Sequence, residues 1–482
     1  MMVCKRLLGL GWLLLFAETI FANQFVIDGS SELCSDDIGT PFCTVQAAVN
    51  FAATGDELKI APGTYPGNLH ISKSVSLIGQ EGVILDGQGK SAVIIINPAV
   101  DVVLEQLVIT GGKAKKGGGI YNLGNLIIRG CRIEYNTAEE SGGGIYSAGS
   151  MSASLVIEDS RINNNAARGD DEFNIKFGGG GIFSDAPMLI KNSDISHNIA
   201  LEDGGAIYSS FTYRRDATQL EQLSEEMGVA SKPITHTALN TTLQRDKVRI
   251  INTMIANNSA DYGGGIYVLG TLDLRNSRII HNSATSSRLS SGGGLFAHFN
   301  AGLTLVNSIV AHNQASSRGG GIRYYSAHDS DIYNTTIISN KVDAHGFGAG
   351  VFVQKGSALL RLQHSVIAEN VKNDKPGHNC YGPLHSNGNN FLSQNRRCEL
   401  TIDASDIVST EKNAISSGIA DITDDGNYRL AENSVLIDAG NEKGCAGPEG
   451  IPPSSDINHK TRIADGNKDG NARCDIGALE QQ

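Results

Sequence analysis

One short stretch of the sequence, Gly142-Gly143-Gly144-Ile145-Tyr146, decides the fold because it recurs along the chain. Each copy has three glycines, or a close variant, followed by an aliphatic residue. The eight copies start at Gly117, Gly142, Gly179, Gly204, Gly263, Gly292, Gly319 and Gly348, and most successive starts are 25 to 29 residues apart. A period of this length is typical of a solenoid, in which each repeat forms one coil and buries its apolar side against its neighbours.

A second pattern, which lies between the glycine motifs, predicts β-strands. Within Leu272–Asn282 the apolar residues Leu272 and Leu274 alternate with Asp273 and Arg275, and equivalent stretches occur in the other repeats. An alternation with a period of two is typical of strands that bury one face. Strands that stack coil on coil, with a rise of about 4.8 Å for each coil, form an all-β parallel β-helix solenoid.

Asparagine recurs at two positions of the repeat. One column is Asn192, Asn252, Asn276, Asn307 and Asn334, and the other runs from Asn136 to Asn370. A side-chain amide in every coil can donate to one neighbouring coil and accept from the other, which satisfies backbone groups at bends. We therefore expect both columns to be structural.

The sequence divides the chain into four parts. Residues 1–22 have the basic start, short apolar core and small final residue of a secretory signal peptide. Residues 23–79 are predicted to form an N-terminal cap and the first coils, with a helix in Thr44–Ala53 that closes the open end of the solenoid. Residues 80–375 are predicted to form the β-helix, and residues 376–482 a C-terminal cap.

The charge of the chain restricts its partners. The formal net charge is −12, and loss of the signal peptide, which carries one net positive charge, leaves −13. An acidic surface argues against nucleic acid and against anionic membranes. It also disfavours acidic polysaccharides unless a divalent cation bridges them. After signal removal no segment is long and apolar enough for a membrane helix, so we expect a secreted protein that is extracellular, at the cell surface or periplasmic.

The cysteines fit an oxidising compartment. Close spacing suggests the disulfides Cys34–Cys43, Cys380–Cys398 and Cys445–Cys474, although spacing alone does not determine the connectivity. The remaining Cys131 occupies a column that is otherwise serine or threonine. We interpret Cys131 as a small packed thiol.

Three parts of the sequence resemble known families. The run from Thr44-Val45-Gln46-Ala47-Ala48 to Val75-Ser76-Leu77-Ile78-Gly79 resembles the opening of pectin-lyase-like right-handed parallel β-helix proteins. The Gly-Gly-Gly-Ile-Tyr and Ile-x-x-Asn-x-Ala copies are similar to the repeats of polymorphic outer-membrane proteins. The ordered C-terminal motifs, which include Ser434–Gly440 and Cys474–Glu480, resemble the choice-of-anchor Q family. The resemblance implies a right-handed parallel β-helix and an exported, often surface-associated protein, but no particular reaction.

An insertion interrupts the period between Gly204 and Gly263. Residues 211–247 are charged and irregular, and Ala217–Met227 within them has apolar residues at helical spacing. A long loop on a solenoid often lies on its working face, but it can also be a harmless excursion.

An aromatic column follows the aliphatic residue of the glycine motif. Its members, the candidate ligand-binding residues, are Tyr121, Tyr146, Phe183, Tyr208, Tyr267, Phe296 and Phe352. Arg323 occupies the same column, and because an unpaired guanidinium in a dry core is too costly, we expect the column to face outward or lie at a rim. Stacked rings can simply stabilise the sheet, or they can form a platform for sugars or a partner surface.

Acidic residues just before several glycine motifs suggest catalysis as an alternative. Glu140, Asp203 and Asp261 could hold Ca²⁺, and Lys176 or Arg168 could then act as the base in β-elimination on a uronic-acid polymer. The pair Asp170-Asp171 could instead serve as acid and base in hydrolysis. Carboxylates at turns are also commonly just solvated.

A second candidate Ca²⁺ site lies near the C-terminus. Asp465, Asn467 and Asp469 match the first half of a calcium-binding loop, but position twelve is Ile476. Glu480 or Asp475 could replace the missing carboxylate. The stretch could equally be a polar, glycine-rich turn fixed by Cys474.

Together these features favour an exported β-helix protein that binds a polysaccharide or a cell or host surface without catalysis. The alternatives are a Ca²⁺-dependent polysaccharide lyase, a glycoside hydrolase, and a purely structural surface protein.

Overall fold

The computed structural model describes most of the chain, and its strands follow one another around a right-handed parallel β-helix. The described residues are 22–37, 41–148, 153–168, 178–210, 248–376, 378–393, 397–410, 415–423, 427–442 and 444–482. Each coil passes in turn through three parallel sheets, which we call faces A, B and C. The predicted insertion 211–247, Asp170, Asp171 and Lys176 lie outside the described residues, as does nearly all of the predicted signal peptide.

The strands of the three faces are short. Face A comprises Gln24–Ile27, Glu57–Ile60, Val75–Gly79, Asp101–Glu105, Asn125–Arg129, Ser154–Glu158, Met188–Lys191, Val248–Ile251, Thr271–Arg275, Gly302–Val306, Ser330–Tyr333, Leu360–Gln363, Cys380–Ser386 and Cys398–Thr401. Face B comprises Gly63–Pro66, Val83–Asp86, Val108–Thr110, Arg132–Glu134, Arg161–Asn163, Asp194–Ser196, Met254–Ala256, Arg278–Ile280, Ile309–Ala311, Thr336–Ile338, Val366–Ala368, Phe391–Ser393 and Ile407–Ser409. Face C comprises Leu69–Ile71, Ile94–Ile96, Ile120–Asn122, Ile145–Ser147, Ile182–Ser184, Ile207–Ser209, Ile266–Val268, Leu295–Ala297, Ile322–Tyr324 and Val351–Val353, and it joins face A through Cys380–Ser386.

Smaller elements complete the fold. Short ladders between faces B and C are formed by Lys113–Lys116, Thr137–Ser141, Ala166–Ala167 and Ile199–Ala200, and by Ser283–Ala284, Gln314–Ala315, Lys341–Val342, Val371–Lys372 and Lys375–Pro376. An α-helix spans Val45–Phe51, an antiparallel pair joins Ile419–Thr423 to Asn427–Leu430, and a 3₁₀ turn spans Pro448–Gly450.

The interior of the coils is built from the alternating apolar residues that the sequence predicts. Within one coil, Leu126 and Ile128 of face A, Ile133 of face B and Ile145 of face C are all fully buried. Each aligns with an aliphatic residue of the next coil, as in the pairs Ile133–Ile162 and Ile145–Ile182. The coils therefore stack in register around one continuous apolar core.

The glycine motif makes the turn that leads into face C. Gly142 has a φ of +68°, which a residue with a side chain rarely adopts. A methyl group on Gly144 would lie 2.7 Å from the carbonyl oxygen of Gly181 in the next coil. These glycines recur because neighbouring turns approach each other too closely for any side chain.

The buried asparagine column bonds coil to coil as expected. Asn165 Nδ2 donates to Asn198 Oδ1 at 3.0 Å, and Asn198 Oδ1 also accepts from the Asn165 backbone N–H at 3.0 Å. Asn198 Nδ2 repeats this pattern with Asn258 Oδ1 at 3.1 Å. In the serine and threonine column Cys131 is buried, which raises the pKa of its thiol to about 12. Cys131 is therefore an unreactive packed thiol.

The helix Val45–Phe51 closes the N-terminal end of the coils. The Thr44 hydroxyl accepts from the Ala47 backbone N–H at 3.3 Å and so caps the helix. Val45, Ala48 and Val49 are buried against the first coils. The helix thus keeps water from the end of the apolar core.

The C-terminal region covers the side of the last coils. Outward-facing residues of face B change from polar in the early coils (Arg161, Asp194) to apolar in the later ones (Ile309, Val366), and the later residues pack against Ile437, Ile476 and other residues of the C-terminal region. The sequence predicts that the β-helix ends at residue 375, but the parallel ladder continues to Ile407–Ser409.

Disulfides hold both ends of the fold. Cys34–Cys43, Cys380–Cys398 and Cys445–Cys474 are all bonded, as the sequence suggests. In the part of the chain that the structure describes, every helix is too short or too polar to cross a membrane.

Candidate functional site

The aromatic column forms a stack of rings on the outer side of face C. The centroids of Tyr121 and Tyr146 are 5.3 Å apart and their planes differ by 3°. Parallel stacking continues from Tyr146 through Phe183 and Tyr208 to Tyr267, with centroid separations of 4.8 to 5.2 Å. These spacings follow from the strand separation of a parallel sheet, so the backbone register alone aligns the rings.

Most rings of this stack are covered. Tyr146, Tyr208, Tyr267, Phe296 and Phe352 are only 3% to 9% exposed. They do not belong to the main core cluster, and Tyr208, Tyr267 and Phe296 form a separate cluster outside the coil. Burial raises the pKa of Tyr146, Tyr208 and Tyr267. A ligand can therefore approach the faces of few of these rings.

Arg323 interrupts the stack without entering the core. Its guanidinium lies 4.3 Å from the centroid of Phe296, close enough for a cation–π contact. Burial, and then the positive charge of Arg318, lowers the pKa of Arg323 to about 10. Phe352, on the far side of Arg323, stacks on Tyr381 at 5.1 Å.

Tyr121 differs from the other rings because it ends the stack. It is half-buried, and the residue that pairs with it in the preceding coil is Ile95. One face of Tyr121 contacts Tyr146, so the opposite face points towards the coil of Ile95. Tyr121 and Ile95 both line a pocket of about 650 Å³, which we call the Tyr121 pocket.

The remaining wall of the Tyr121 pocket has four lysines and two glutamates. It is lined by Lys90, Ser91, Ala92, Lys113, Ala114, Lys115, Lys116, Glu139 and Glu140. Lys115 and Lys116 pair with Glu140 at 2.9 and 3.4 Å. Lys90 and Lys113 form no ion pair with any residue that the structure describes. The pocket therefore keeps a net positive charge on a chain that is acidic as a whole.

Lys116 connects the pocket to the aromatic stack. Its Nζ lies 5.1 Å from the centroid of the Tyr146 ring. Burial alone would lower the pKa of Lys116, but Tyr146 and Glu140 outweigh it, and the net pKa is raised. Lys116 is therefore charged at neutral pH and orients its ammonium group at the edge of the pocket.

The acidic residues suggested for catalysis lie on different coils. Gly142, close to Glu140 in sequence, bonds to Gly178 in the next coil, and Gly178 pairs with Asp203 in the coil after that. Glu140 and Asp203 are therefore two coils, about 10 Å, apart. Asp203 is buried, and burial raises the pKa of Asp261. Among the described residues no group of three acidic, histidine or cysteine side chains is arranged to hold a metal ion. Lys176 lies outside the described residues.

The candidate calcium loop is held by its own backbone. Asp465 accepts from the N–H groups of Asp469 and Gly470, each at 3.0 Å, and Asn467 Oδ1 accepts from the Asp469 N–H at 2.9 Å. The carboxylates that could complete the ligand set are engaged elsewhere, since Glu480 pairs with Arg462 and Asp475 accepts from two backbone N–H groups. Only half of a calcium ligand set is thus present in the loop, and calcium binding there stays a prediction.

Sequence reasoning did not identify the lysines of the Tyr121 pocket. The run Lys113–Lys116 is visible in the sequence, but Lys90 comes from the preceding coil. Only the register of the coils shows that Lys90, Lys113 and Tyr121 share one surface.

Comparisons with known structures give matches of low similarity. A crystal structure of pectate lyase Pel9A matches with 14% sequence identity over 96% of this chain and 98% of that one, with a TM-score of 0.40. The pectin methylesterase of Aspergillus niger matches with 9% identity over 81% and 85%, with a TM-score of 0.21. No protein-family model and no curated protein sequence matches the chain, so the resemblance to the choice-of-anchor Q family stays a prediction.

Proposed function

We propose that the protein is exported and binds an acidic saccharide, as part of a polysaccharide or a cell surface, in the Tyr121 pocket without catalysis. The observation that carries this proposal is the half-buried terminal ring of Tyr121 beside four lysines. The predicted signal peptide and the three disulfides support export to an oxidising compartment.

The terminal ring provides the apolar part of the recognition. Sugar-binding sites pair an apolar ring surface with a few convergent polar groups that fix orientation. Tyr121 is held in place by its stack on Tyr146, and Ile95 extends the apolar surface in the preceding coil. A ring fixed in this way loses little side-chain entropy when a ligand covers its free face.

The lysines select the charge of the ligand. Lys90 and Lys113 carry ammonium groups without an ionic partner among the described residues, and Lys115 and Lys116 share the single carboxylate of Glu140. A carboxylate or sulfate on the sugar would neutralise this excess charge. The net charge of the whole chain therefore does not exclude an acidic saccharide, because the local charge of the pocket is positive.

A glycan array that contains uronate and sulfated saccharides, followed by calorimetric titration of the best ligand, tests the proposal. Tyr121→Ala should weaken binding by about tenfold, the upper range for loss of one aromatic contact. Replacing both Lys90 and Lys113 by glutamine should weaken binding at low salt and reduce its dependence on salt.

The chain offers matched controls for both changes. Tyr135 is 63% exposed at the bend that follows the face B strand Arg132–Glu134, so Tyr135→Ala removes an exposed ring elsewhere. Lys355 and Lys460 are both exposed, and replacing them by glutamine removes the same amount of charge outside the pocket. Equal effects of pocket and control variants, or an array without any acidic ligand, would contradict the proposal.

The same ligands separate binding from catalysis. A polysaccharide lyase would release unsaturated uronates that absorb in the ultraviolet, and a hydrolase would release reducing ends. We expect the bound saccharide to be recovered intact, with and without a chelator. Cleavage that the chelator abolishes would favour the calcium-dependent lyase instead.

A further inference from the structure

A second polar column on the surface carries chemistry that saccharide binding at the Tyr121 pocket does not use. At seven consecutive bends between faces A and B the residue has a left-handed backbone conformation, with φ of 44° to 51°; the last of the seven is His364, and we call the other six the amide column. They are Asp159, Asn192, Asn252, Asn276, Asn307 and Asn334. Because the strands before them are in register, their side chains emerge one above another.

The last two members bind the C-terminal region of the chain itself. Asn307 Nδ2 donates to the Ser455 carbonyl oxygen at 2.9 Å, and Asn307 Oδ1 accepts from Arg462 Nη2 at 2.6 Å. Asn334 Nδ2 donates to the Ala446 carbonyl oxygen. Ala446 lies in irregular backbone, and Ser455 lies in an isolated β-bridge with Thr461. This part of the amide column thus binds a polypeptide through its carbonyl groups and one arginine.

The C-terminal region does not cover the earlier members of the amide column. Asp159, Asn192 and Asn252 are exposed, and with Asn276 they line a groove of about 600 Å³. Asn192 donates to Asp159 Oδ1 and Asn252 to Asn192 Oδ1, each at 3.1 Å. We call this the amide groove. It ends at Ile457 and His459, where the C-terminal region begins to cover the surface.

The edge of the C-terminal region is fixed to the amide groove. Arg278, which lines the groove, donates from Nη2 to Asn458 Oδ1 at 2.8 Å and to the Ile457 carbonyl oxygen at 3.3 Å. The groove is therefore a direct continuation of an interface that already holds polypeptide.

One acceptor in the floor of the amide groove has no hydrogen-bond donor. Asp194 Oδ1 is buried and has no hydrogen-bond partner among the residues that the structure describes. An incompletely satisfied carboxylate is costly, and because Asp194 as a whole is only partly buried, a ligand that donates to the accessible part of its carboxylate gains free energy. Asp159 adds a second carboxylate at the open end of the groove.

The side-chain amides of the groove argue against a simple cation as the ligand. Arg161 pairs in register with Asp194, is exposed, and also lines the groove. A small polyamine would leave the amide donors unused because it has no acceptor for them. A polypeptide offers carbonyl acceptors for the amides and a basic side chain for Asp194.

We propose that the amide groove binds a segment of a partner polypeptide that carries arginine or lysine. The partner segment lies next to Ile457 and His459 and continues the surface that the chain's own C-terminal region occupies. Its carbonyl groups accept from the side-chain amides of Asn192 and Asn252, and its basic side chain donates to Asp194.

A display library of random short peptides, panned against the whole protein, tests this proposal. The key variant replaces Asn192 and Asn252 by glycine, which removes both amides but keeps the left-handed backbone. Enriched peptides should contain arginine or lysine and should bind this variant about tenfold more weakly, which corresponds to about 1.4 kcal/mol. Asp194→Asn should weaken the same peptides and leave neutral analogues of them unaffected.

The matched control replaces Asn164 and Asn257 by glycine. Both are exposed and left-handed, with φ of 54° and 57°, but neither lines the groove. This control should bind the peptides like the parent protein. The proposal is overturned if no peptide prefers the parent protein over the groove variant, or if the preferred peptides lack basic residues. A saccharide from a glycan array that depends on Asn192 and Asn252 would also overturn it.

Discussion

Arg462 and Glu480 form an ion pair that is almost completely removed from solvent. Arg462 Nη1 lies 3.1 Å from Glu480 Oε2, and the two side chains are 1% and 0% exposed. Arg462 also donates to Asn307 Oδ1 at 2.6 Å and to the Gly477 carbonyl oxygen at 2.8 Å. One guanidinium therefore joins the last residues of the chain to the side of the coils.

Removing this guanidinium should strongly destabilise the protein. Arg462→Met keeps most of the apolar stem but leaves Glu480 buried without its cation. Breaking one partner of a buried ion pair typically costs about 3–5 kcal/mol. The free energy of unfolding in urea measures the effect, with tryptic cleavage of the C-terminal region as a second measurement.

The exposed pair of Arg473 and Glu442 is the control for this prediction. Its guanidinium and carboxylate are 2.9 Å apart, but the side chains are 40% and 77% exposed. Arg473→Ala should cost less than about 1 kcal/mol, as exposed ion pairs do. Similar losses in the two variants would show that Arg462 contributes no more than a surface arginine.

Stability should fall as the pH rises towards neutrality because of Asp475. Burial, together with the nearby charge of Glu480, raises the pKa of Asp475 to about 7. Between the ordinary aspartate pKa near 4 and this value, the folded chain keeps a proton that the unfolded chain loses. The free energy of unfolding therefore decreases with pH across that window.

Asp475→Asn removes this titration, so the variant should show a flatter dependence on pH. Unfolding midpoints of both proteins, measured from about pH 4 to about pH 7, give the two slopes. The slopes are compared rather than the absolute stabilities, because Asp475 accepts backbone hydrogen bonds from Asp438 and Gln481 that asparagine cannot reproduce fully. Equal slopes in the two proteins would rule out Asp475 as the titrating group.

The coil architecture could be predicted because each coil repeats the same local constraints. The glycines before Ile145 and the buried Asn165 fix a turn that needs only its nearest neighbours, so a period in the sequence becomes a period in space. The position of the C-terminal region is different. Its contact with Asn307 joins residues 155 positions apart, and no repeat encodes that distance.

The candidate sites were harder to predict for the same reason. Tyr121 was identified from its column, but the charge around it depends on Lys90 and Lys113, which meet only when coils stack. In the structure, Ile309 and Val366 are apolar because the C-terminal region covers them.

Cys131 should be replaceable by serine without loss of stability. In the next coil Ser160 Oγ donates to the Glu158 carbonyl oxygen at 2.7 Å, whereas Cys131 Sγ makes the equivalent contact with Arg129 at 3.4 Å. A serine can make the same hydrogen bonds, so the free energy of unfolding of Cys131→Ser should change by less than about 1 kcal/mol.

The stability of the Cys131→Val variant provides the contrast to Cys131→Ser. Cys131→Val fills a similar volume, but the buried Leu107 N–H, which now bonds to Sγ at 3.5 Å, loses its acceptor. This variant should lose about 1–3 kcal/mol. If serine and valine destabilised the protein equally, hydrogen bonding in this column would not matter for stability.

Asn258 of the buried asparagine column should contribute far more to stability than its exposed neighbour Asn257. Asn258 Oδ1 accepts from the N–H and from Nδ2 of Asn198 at 2.9 and 3.1 Å, and its own Nδ2 donates to Asn282 Oδ1 at 2.9 Å. Asn258→Ala leaves several buried groups without partners, and each such group costs about 1–3 kcal/mol. We expect a loss of about 3 kcal/mol or more in urea unfolding, with increased amide hydrogen exchange in the adjoining coils.

The neighbouring Asn257 is the control. Asn257 is exposed, and its replacement by glycine retains the left-handed backbone, so that variant should change stability by less than about 1 kcal/mol. Comparable losses at both positions would mean that the backbone conformation, and not the ladder of amides, stabilises the bend.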